Sequence, residues 1–174
     1  NAVLGAAFIF LFWWVLAKEF STRIAWAAAS ILATSAAWVA ESRIAVMDLP
    51  LAVTFGASML FIMRGNFVWA AVMLAFAVLA KGLVPLVLIL PAFWFLRYRW
   101  RELLLPLLVF LAIAQPWYIA MTIIHGQDFI QEFFVRHHFS RFASESLQHV
   151  QPFWFFIPVI LAGLFPWTPL VGLL

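Results

Sequence analysis

Long apolar runs follow one another along this chain, and nearly all the charged residues fall in the breaks between them. The runs cover about 2–17, 24–40, 49–63, 66–80, 83–96, 103–124 and 152–174. A helix needs about 20 apolar residues to cross a bilayer core, with a range of about 17–25. The runs 49–63, 66–80 and 83–96 are short for a full crossing. Hydrophobic residues make up 67% of the chain and charged residues 10%. Soluble domains run at roughly 45–50% apolar and about 25% charged. With so little polar surface the bilayer must be the solvent. The expected fold is all-α, a polytopic transmembrane helical bundle forming a single domain over 1–174, with a juxtamembrane amphipathic helix in an outer loop over 125–151. The sequence opens at Asn1 with no basic leader, and both its ends lie inside apolar runs, as expected of a stretch cut from a longer polytopic protein. The absence of cysteine excludes disulfides and thiolate metal sites within it.

The charges predict an orientation. Seven crossings put Lys18, Arg23, Arg64, Arg97, Arg99 and Arg101 on one side, opposed only by Glu19 and Glu102. The other side receives Arg43, Lys81, Arg136 and Arg141, set against Glu41, Asp48, Asp128, Glu132 and Glu145. Lys and Arg accumulate on the cytoplasmic side, so the first set is inside and the second faces the periplasm or exterior. This alternation requires a helix hairpin at Lys81-Gly82 rather than a break within one long helix, and the hairpin is the expectation. The net charge of +3 is thus a topology signal and not a nucleic-acid footprint. Arg97-Tyr98-Arg99-Trp100-Arg101 reads as an interfacial anchor among anionic headgroups.

Polar chemistry is concentrated on the outer side. In Glu41-Ser42-Arg43 through Asp48-Leu49-Pro50, a continuous helix would put Glu41 and Asp48 on nearly the same face, while Pro50 disfavours helix at Leu49 and suits the start of a new span at that point. Charges set among Ile44, Ala45, Val46 and Met47 are expensive at membrane depth and tend to mark function; the plainer alternative is a solvated turn with a surface ion pair. Lys81 stands alone among apolar neighbours. It either snorkels to the interface or pairs with an acid such as Asp48 and faces an anion. After Gly126 an amphipathic helix is expected, with Asp128 as cap and Gln131 completing a weak capping box. Phe129, Ile130, Phe133 and Phe134 fall within an arc of about 140°, and His137 and Arg141 fall within the same arc. A fixed positive charge on the greasy side of an interfacial helix suits a lipid phosphate, whose oxygens an arginine fork matches; simple snorkelling to headgroups is the alternative. Adjacent histidines diverge by about 100° on a helix, so His137-His138 alone is a weak metal site.

At these positions a family resemblance becomes visible. Met47-Asp48-Leu49-Pro50, Leu79-Ala80-Lys81-Gly82, Gln115-Pro116-Trp117-Tyr118, Arg136-His137-His138-Phe139-Ser140-Arg141-Phe142, Gln151-Pro152-Phe153-Trp154 and Phe165-Pro166-Trp167 occur in this order. Together they resemble the superfamily of protein O-mannosyltransferases and lipid A aminoarabinose transferases, in its bacterial, phospholipid-carrier-dependent branch. The resemblance implies a fragment of a C-type glycosyltransferase membrane domain in the bacterial inner membrane, its active face toward the periplasm or exterior. It implies transfer of a sugar from a polyprenyl-phosphate donor to a lipid or protein acceptor, among membrane lipids and without nucleic acid. It also implies that Arg141, with His137 beside it, holds the carrier phosphate, while Glu41, Arg43, Asp48 and Lys81 support the active site. The family usually reads Glu-His-x-x-Arg-Phe in the juxtamembrane helix; here His137 replaces the Glu. In some relatives a divalent metal sits nearby, for which His138 would be one ligand. The family's acidic catalytic motif lies upstream of the matching stretch, so no general base is nominated among these residues. Rival classes are a transporter or channel subunit using Asp48 and Lys81, and a non-catalytic assembly subunit. A transporter calls for ionisable residues spread through the depth of several helices, whereas here they gather at the ends of the runs.

Overall fold

A computed structural model describes residues 1–129, 131, 152 and 154–171. The regular structure among those residues is all helix, with no strand: α1 (Ala2–Glu19), α2 (Thr22–Thr34), α3 (Ala36–Arg43), α4 (Asp48–Met63), α5 (Phe67–Lys81), α6 (Val84–Leu88), α7 (Leu90–Leu96), a 3-10 stretch (Arg97–Leu103), α8 (Leu104–Phe129), α9 (Phe156–Gly163) and α10 (Thr168–Val171). Helix satisfies its own backbone groups, which hydrocarbon cannot do. Ala2–Glu19 and Arg101–Gln127 are each long and apolar enough to cross a membrane, and α2 with α3 forms a third candidate span bent by 57°. The protein is an integral membrane helical bundle.

Helices α1, α4, α5 and α8 build the centre. Water drives little of this association, since lipid tails are as apolar as leucine; close packing of small residues does the work instead. Phe8 and Val15 of α1 meet Leu49, Val53, Ala57 and Leu60 of α4 in one buried cluster. Gly56 admits the ring of Phe8, whose Cζ would lie 2.7 Å from a Cβ added there. Between α4 and α5 small side chains meet, Ser58 of one helix against Ala70 of the other. The fully buried Ser58 donates its hydroxyl to the Ala70 carbonyl at 2.8 Å, so the polar group costs nothing in the apolar seam.

Several expected features take a different form. The run 24–40 is not one straight helix: it breaks at Ser35, whose ψ of 133° is extended. The break exposes the Ala36 N–H, which donates to the Phe165 carbonyl at 2.8 Å, and Trp167 Nε1 donates to Thr34 Oγ1 at 2.7 Å. Backbone freed inside a membrane protein needs such a neighbour. Helix α3 ends at Arg43 and α4 begins at Asp48, so Glu41 and Asp48 sit on separate helices and not on one face. Pro50 does not exclude helix at Leu49. It lies in the first turn of α4, where a missing N–H removes no intrahelical bond. The 83–96 run is divided between α6 and α7, and α9 and α10 together replace the final continuous run.

At Lys81-Gly82 the chain reverses. Gly82 terminates α5 with a φ of 67°, a conformation that side chains resist. The 15 residues of α5 span about 22 Å. Yet the Arg99 guanidinium lies 4.7 Å from the ring centroid of Phe67, at the far end of that helix. Residues 83–98 therefore run back along α5, the path of a hairpin.

Candidate functional site

Two helix ends bring the central pair together. Asp48 opens α4 and Lys81 closes α5. An acid suits a helix N-terminus and a base a C-terminus because each opposes the local end of the macrodipole. The two helices run antiparallel, so their favoured charges share one end of the bundle. There Lys81 Nζ forms an ion pair with Asp48 Oδ1. Their side chains remain 41% and 57% exposed, which leaves further faces of both groups open to a second molecule.

Neighbouring segments hold this end in place. Asn1 Nδ2 donates to the carbonyls of Ile44 at 2.6 Å and Val46 at 2.8 Å, fixing the loop that leads into Asp48. Gly5 of α1 lies close against Ser42, whose Oγ would be 2.7 Å from a Cβ at that position. From α8, the Tyr118 hydroxyl donates to the Val78 carbonyl at 3.3 Å, one turn before Lys81. Gly126, with a φ of 58°, bends the end of α8 so that Phe129 returns onto Trp117, ring centroids 5.8 Å apart and edge-on. The bend falls where the outer amphipathic segment is expected to begin, and Phe129, expected on its greasy side, is buried. Phrases far apart in sequence thus converge: Met47–Pro50 meets Leu79–Gly82, and Gln115–Tyr118 braces them.

The other expected site residues divide into two groups. Glu41 and Arg43 lie on α3 and form no ion pair among the described residues; Glu41 Oε2 is buried without a hydrogen-bond partner. His137, His138 and Arg141, with the outer helix expected to carry them, lie outside the described residues. Among the described residues no cluster of His, Cys, Asp and Glu could hold a metal ion, so the structure supplies no geometry for the expected divalent site. Asn1 and Tyr118 were not singled out from the sequence. Tyr118 did carry a signal, as one of only 2 tyrosines and as a hydroxyl in an apolar run that needs a partner.

The opposite end of the bundle has its own charges. Arg64 Nε donates to Glu19 Oε1 at 3.1 Å, and Arg99 donates to both oxygens of Glu102, at 2.9 and 2.6 Å. The bond to Glu102 raises the Arg99 guanidinium above its ordinary value, partly opposed by desolvation. The basic set assigned to the cytoplasm therefore gathers away from the Asp48–Lys81 pair.

Fold and site together define an α-helical integral membrane protein with a charged, partly open site at one end of its bundle. Its fold is that of ArnT from Cupriavidus metallidurans. The structure of that protein bound to undecaprenyl phosphate superposes with a TM-score of 0.83 at 22% identity, over 97% of this chain and 34% of that one. The apo structure gives 0.79. Among curated proteins, the undecaprenyl phosphate-alpha-4-amino-4-deoxy-L-arabinose arabinosyl transferase of Edwardsiella ictaluri is 36% identical over 93 residues, 51% of this chain and 16% of that protein. A second enzyme of that name from Pseudomonas fluorescens is 39% identical over 113 residues, 58% of this chain and 20% of its own length. The Enterobacter protein is 34% identical over 116 residues, 62% of this chain and 20% of its own length. No family model matches. The chain is similar in sequence to these arabinosyl transferases, and it spans about a fifth of the length of the curated relatives it matches.

Proposed function

We infer that the full-length protein containing this chain is a membrane glycosyltransferase that moves a sugar, an aminopentose by analogy with its relatives, from a polyprenyl-phosphate donor to a lipid acceptor at the non-cytoplasmic face. The observation that carries this reading is the Asp48–Lys81 pair, set at the end of the bundle away from the basic cluster, in a chain related to enzymes named for undecaprenyl phosphate. In the reaction the bond from the anomeric carbon to the donor phosphate breaks and a bond to the acceptor oxygen forms. The departing polyprenyl phosphate gains negative charge, and the acceptor proton goes to a base outside this chain. Lys81 would stabilise the phosphate as that charge develops, which helps the transition state more than the ground state. Asp48 holds the Lys81 ammonium in position between turnovers. Arg141 grips the phosphate with its planar fork, with His137 alongside. Glu41 and Arg43 support the site from α3. The proposal includes a divalent ion with His138 as one ligand, to be checked by loss of activity on chelation and its return on adding metal; no step is assigned to it.

Arg141→Ala in the full-length protein is expected to abolish transfer while leaving membrane insertion and abundance unchanged. Near-normal transfer by that variant would contradict the phosphate role. A transporter reading requires ionisable groups lining a path through the bundle. Among the described residues the ion pairs lie at the two ends, and the buried Ser58 between them is committed to Ala70.

A further inference from the structure

Away from the proposed transfer site, at the basic end of the bundle, a pocket lies between α1 and the α4–α5 turn. It has a volume of about 530 Å³ and is lined by Leu11 and Trp14 of α1, Phe61 and Arg64 of α4, and Asn66, Trp69 and Met73 at the start of α5. Arg64 closes α4, and Gly65, with a φ of 68°, turns the chain so that Asn66 can cap α5. The Arg64 guanidinium lies 4.5 Å from the Trp14 ring centroid, a cation–π contact that fixes its plane. Its Nε is committed to Glu19 Oε1. Among the described residues neither terminal nitrogen of Arg64 has a hydrogen-bond partner, and neither does Glu19 Oε2. The two side chains are 30% and 33% exposed, so they are accessible yet partly sheltered.

We propose that this pocket binds a phospholipid of the inner leaflet through a phosphoethanolamine headgroup. The chemistry is complementary at three points. The two terminal nitrogens of Arg64 offer the donor fork that matches two phosphate oxygens. The open oxygen of Glu19 accepts from a primary ammonium, which a phosphoethanolamine carries and a trimethylated choline lacks. Below them, Leu11 lies about 12 Å along α1 from Glu19, and together with Phe61 and Met73 it gives an acyl chain an apolar bed. Trp14 and Trp69 line the pocket with Arg64 at the charged end of the bundle, and indole rings favour a membrane–water boundary. An anionic headgroup without an amine would satisfy Arg64 but would face the Glu19 carboxylate, so the pair selects a zwitterion with N–H donors. The site is independent of the transferase reading, because none of its residues belongs to the outer end.

The test uses the full-length protein in detergent, with native mass spectrometry counting lipids retained from mixed micelles containing phosphatidylethanolamine, phosphatidylcholine or phosphatidylglycerol with identical acyl chains. The wild type is expected to retain phosphatidylethanolamine at least about tenfold better than either alternative, a preference equivalent to about 1.4 kcal/mol. Glu19→Gln is expected to bring phosphatidylethanolamine and phosphatidylcholine to near parity, and Arg64→Gln to weaken retention of both. Equal retention of the three lipids by the wild type, as would follow if another segment fills the pocket, overturns the proposal. So does a preference for phosphatidylglycerol, or a phosphatidylethanolamine preference that survives Glu19→Gln. Should Arg64→Gln fail to fold, the Glu19→Gln comparison decides alone.

Discussion

Lys81 and Asp48 illustrate how far single residues can be interpreted. A lysine at mid-membrane costs about 2.5–3.5 kcal/mol on insertion scales, so its presence among apolar neighbours asks for a reason, and the structure provides a partner. The pair is too exposed to be a strong stabiliser; exposed ion pairs contribute about 0–1 kcal/mol. Stability and activity should therefore separate. Lys81→Met and Asp48→Asn in the full-length protein are expected to shift the melting temperature little and to lower glycosyl transfer by at least about 100-fold, the effect of removing one preorganised electrostatic group. A large loss of stability with activity preserved would make the pair structural. Both residues stood out in the sequence because each is a charge at the edge of an apolar run. Their pairing was legible only as an option, since it depends on α4 and α5 running antiparallel with their ends level. Asn1 escaped notice because its role is to hold carbonyls more than forty residues away, and nothing local signals that.

Among the helices, packing decides what local sequence leaves open. The positions of α1, α4, α5 and α8 follow from apolar runs and the charged breaks between them. The break between α2 and α3 does not, because Leu32-Ala33-Thr34-Ser35-Ala36 contains neither Pro nor Gly. The stimulus is tertiary: the Phe165 carbonyl and the Trp167 indole supply partners that an unbroken helix would not need. The start of α4 is legible to within a residue, since the apolar run opens at Leu49 and Pro50 suits a first turn. Helix α1 meets α4 through Gly56, which gives a test of the interface. Gly56→Ala pushes a methyl group against the Phe8 ring and is expected to cost about 1–3 kcal/mol. Adding Phe8→Leu should recover most of that loss in thermal denaturation of the full-length protein. A neutral Gly56→Ala would mean that α1 and α4 are not closely apposed there.

For the molecule as a whole, the sequence gives orientation more securely than depth. Among the described residues the Arg64–Glu19 and Arg99–Glu102 pairs lie at one end of the bundle and the Lys81–Asp48 pair at the other, because each antiparallel helix returns its charges to a boundary. The chain contains no cysteine, so single cysteines can report on sidedness. Met47→Cys and Phe20→Cys, at positions 68% and 61% exposed, are expected to react with an impermeant maleimide from opposite sides of the membrane, Met47→Cys from the outside. Labelling of both from one side would break the assigned topology. The most direct test of the whole account places a photo-crosslinking amino acid at Met47, beside Asp48, in the full-length protein within membranes supplied with undecaprenyl phosphate. An adduct of that lipid at Met47, with none from the same group at Phe20, is the predicted result. No adduct at Met47, or equal capture at both ends, would contradict it.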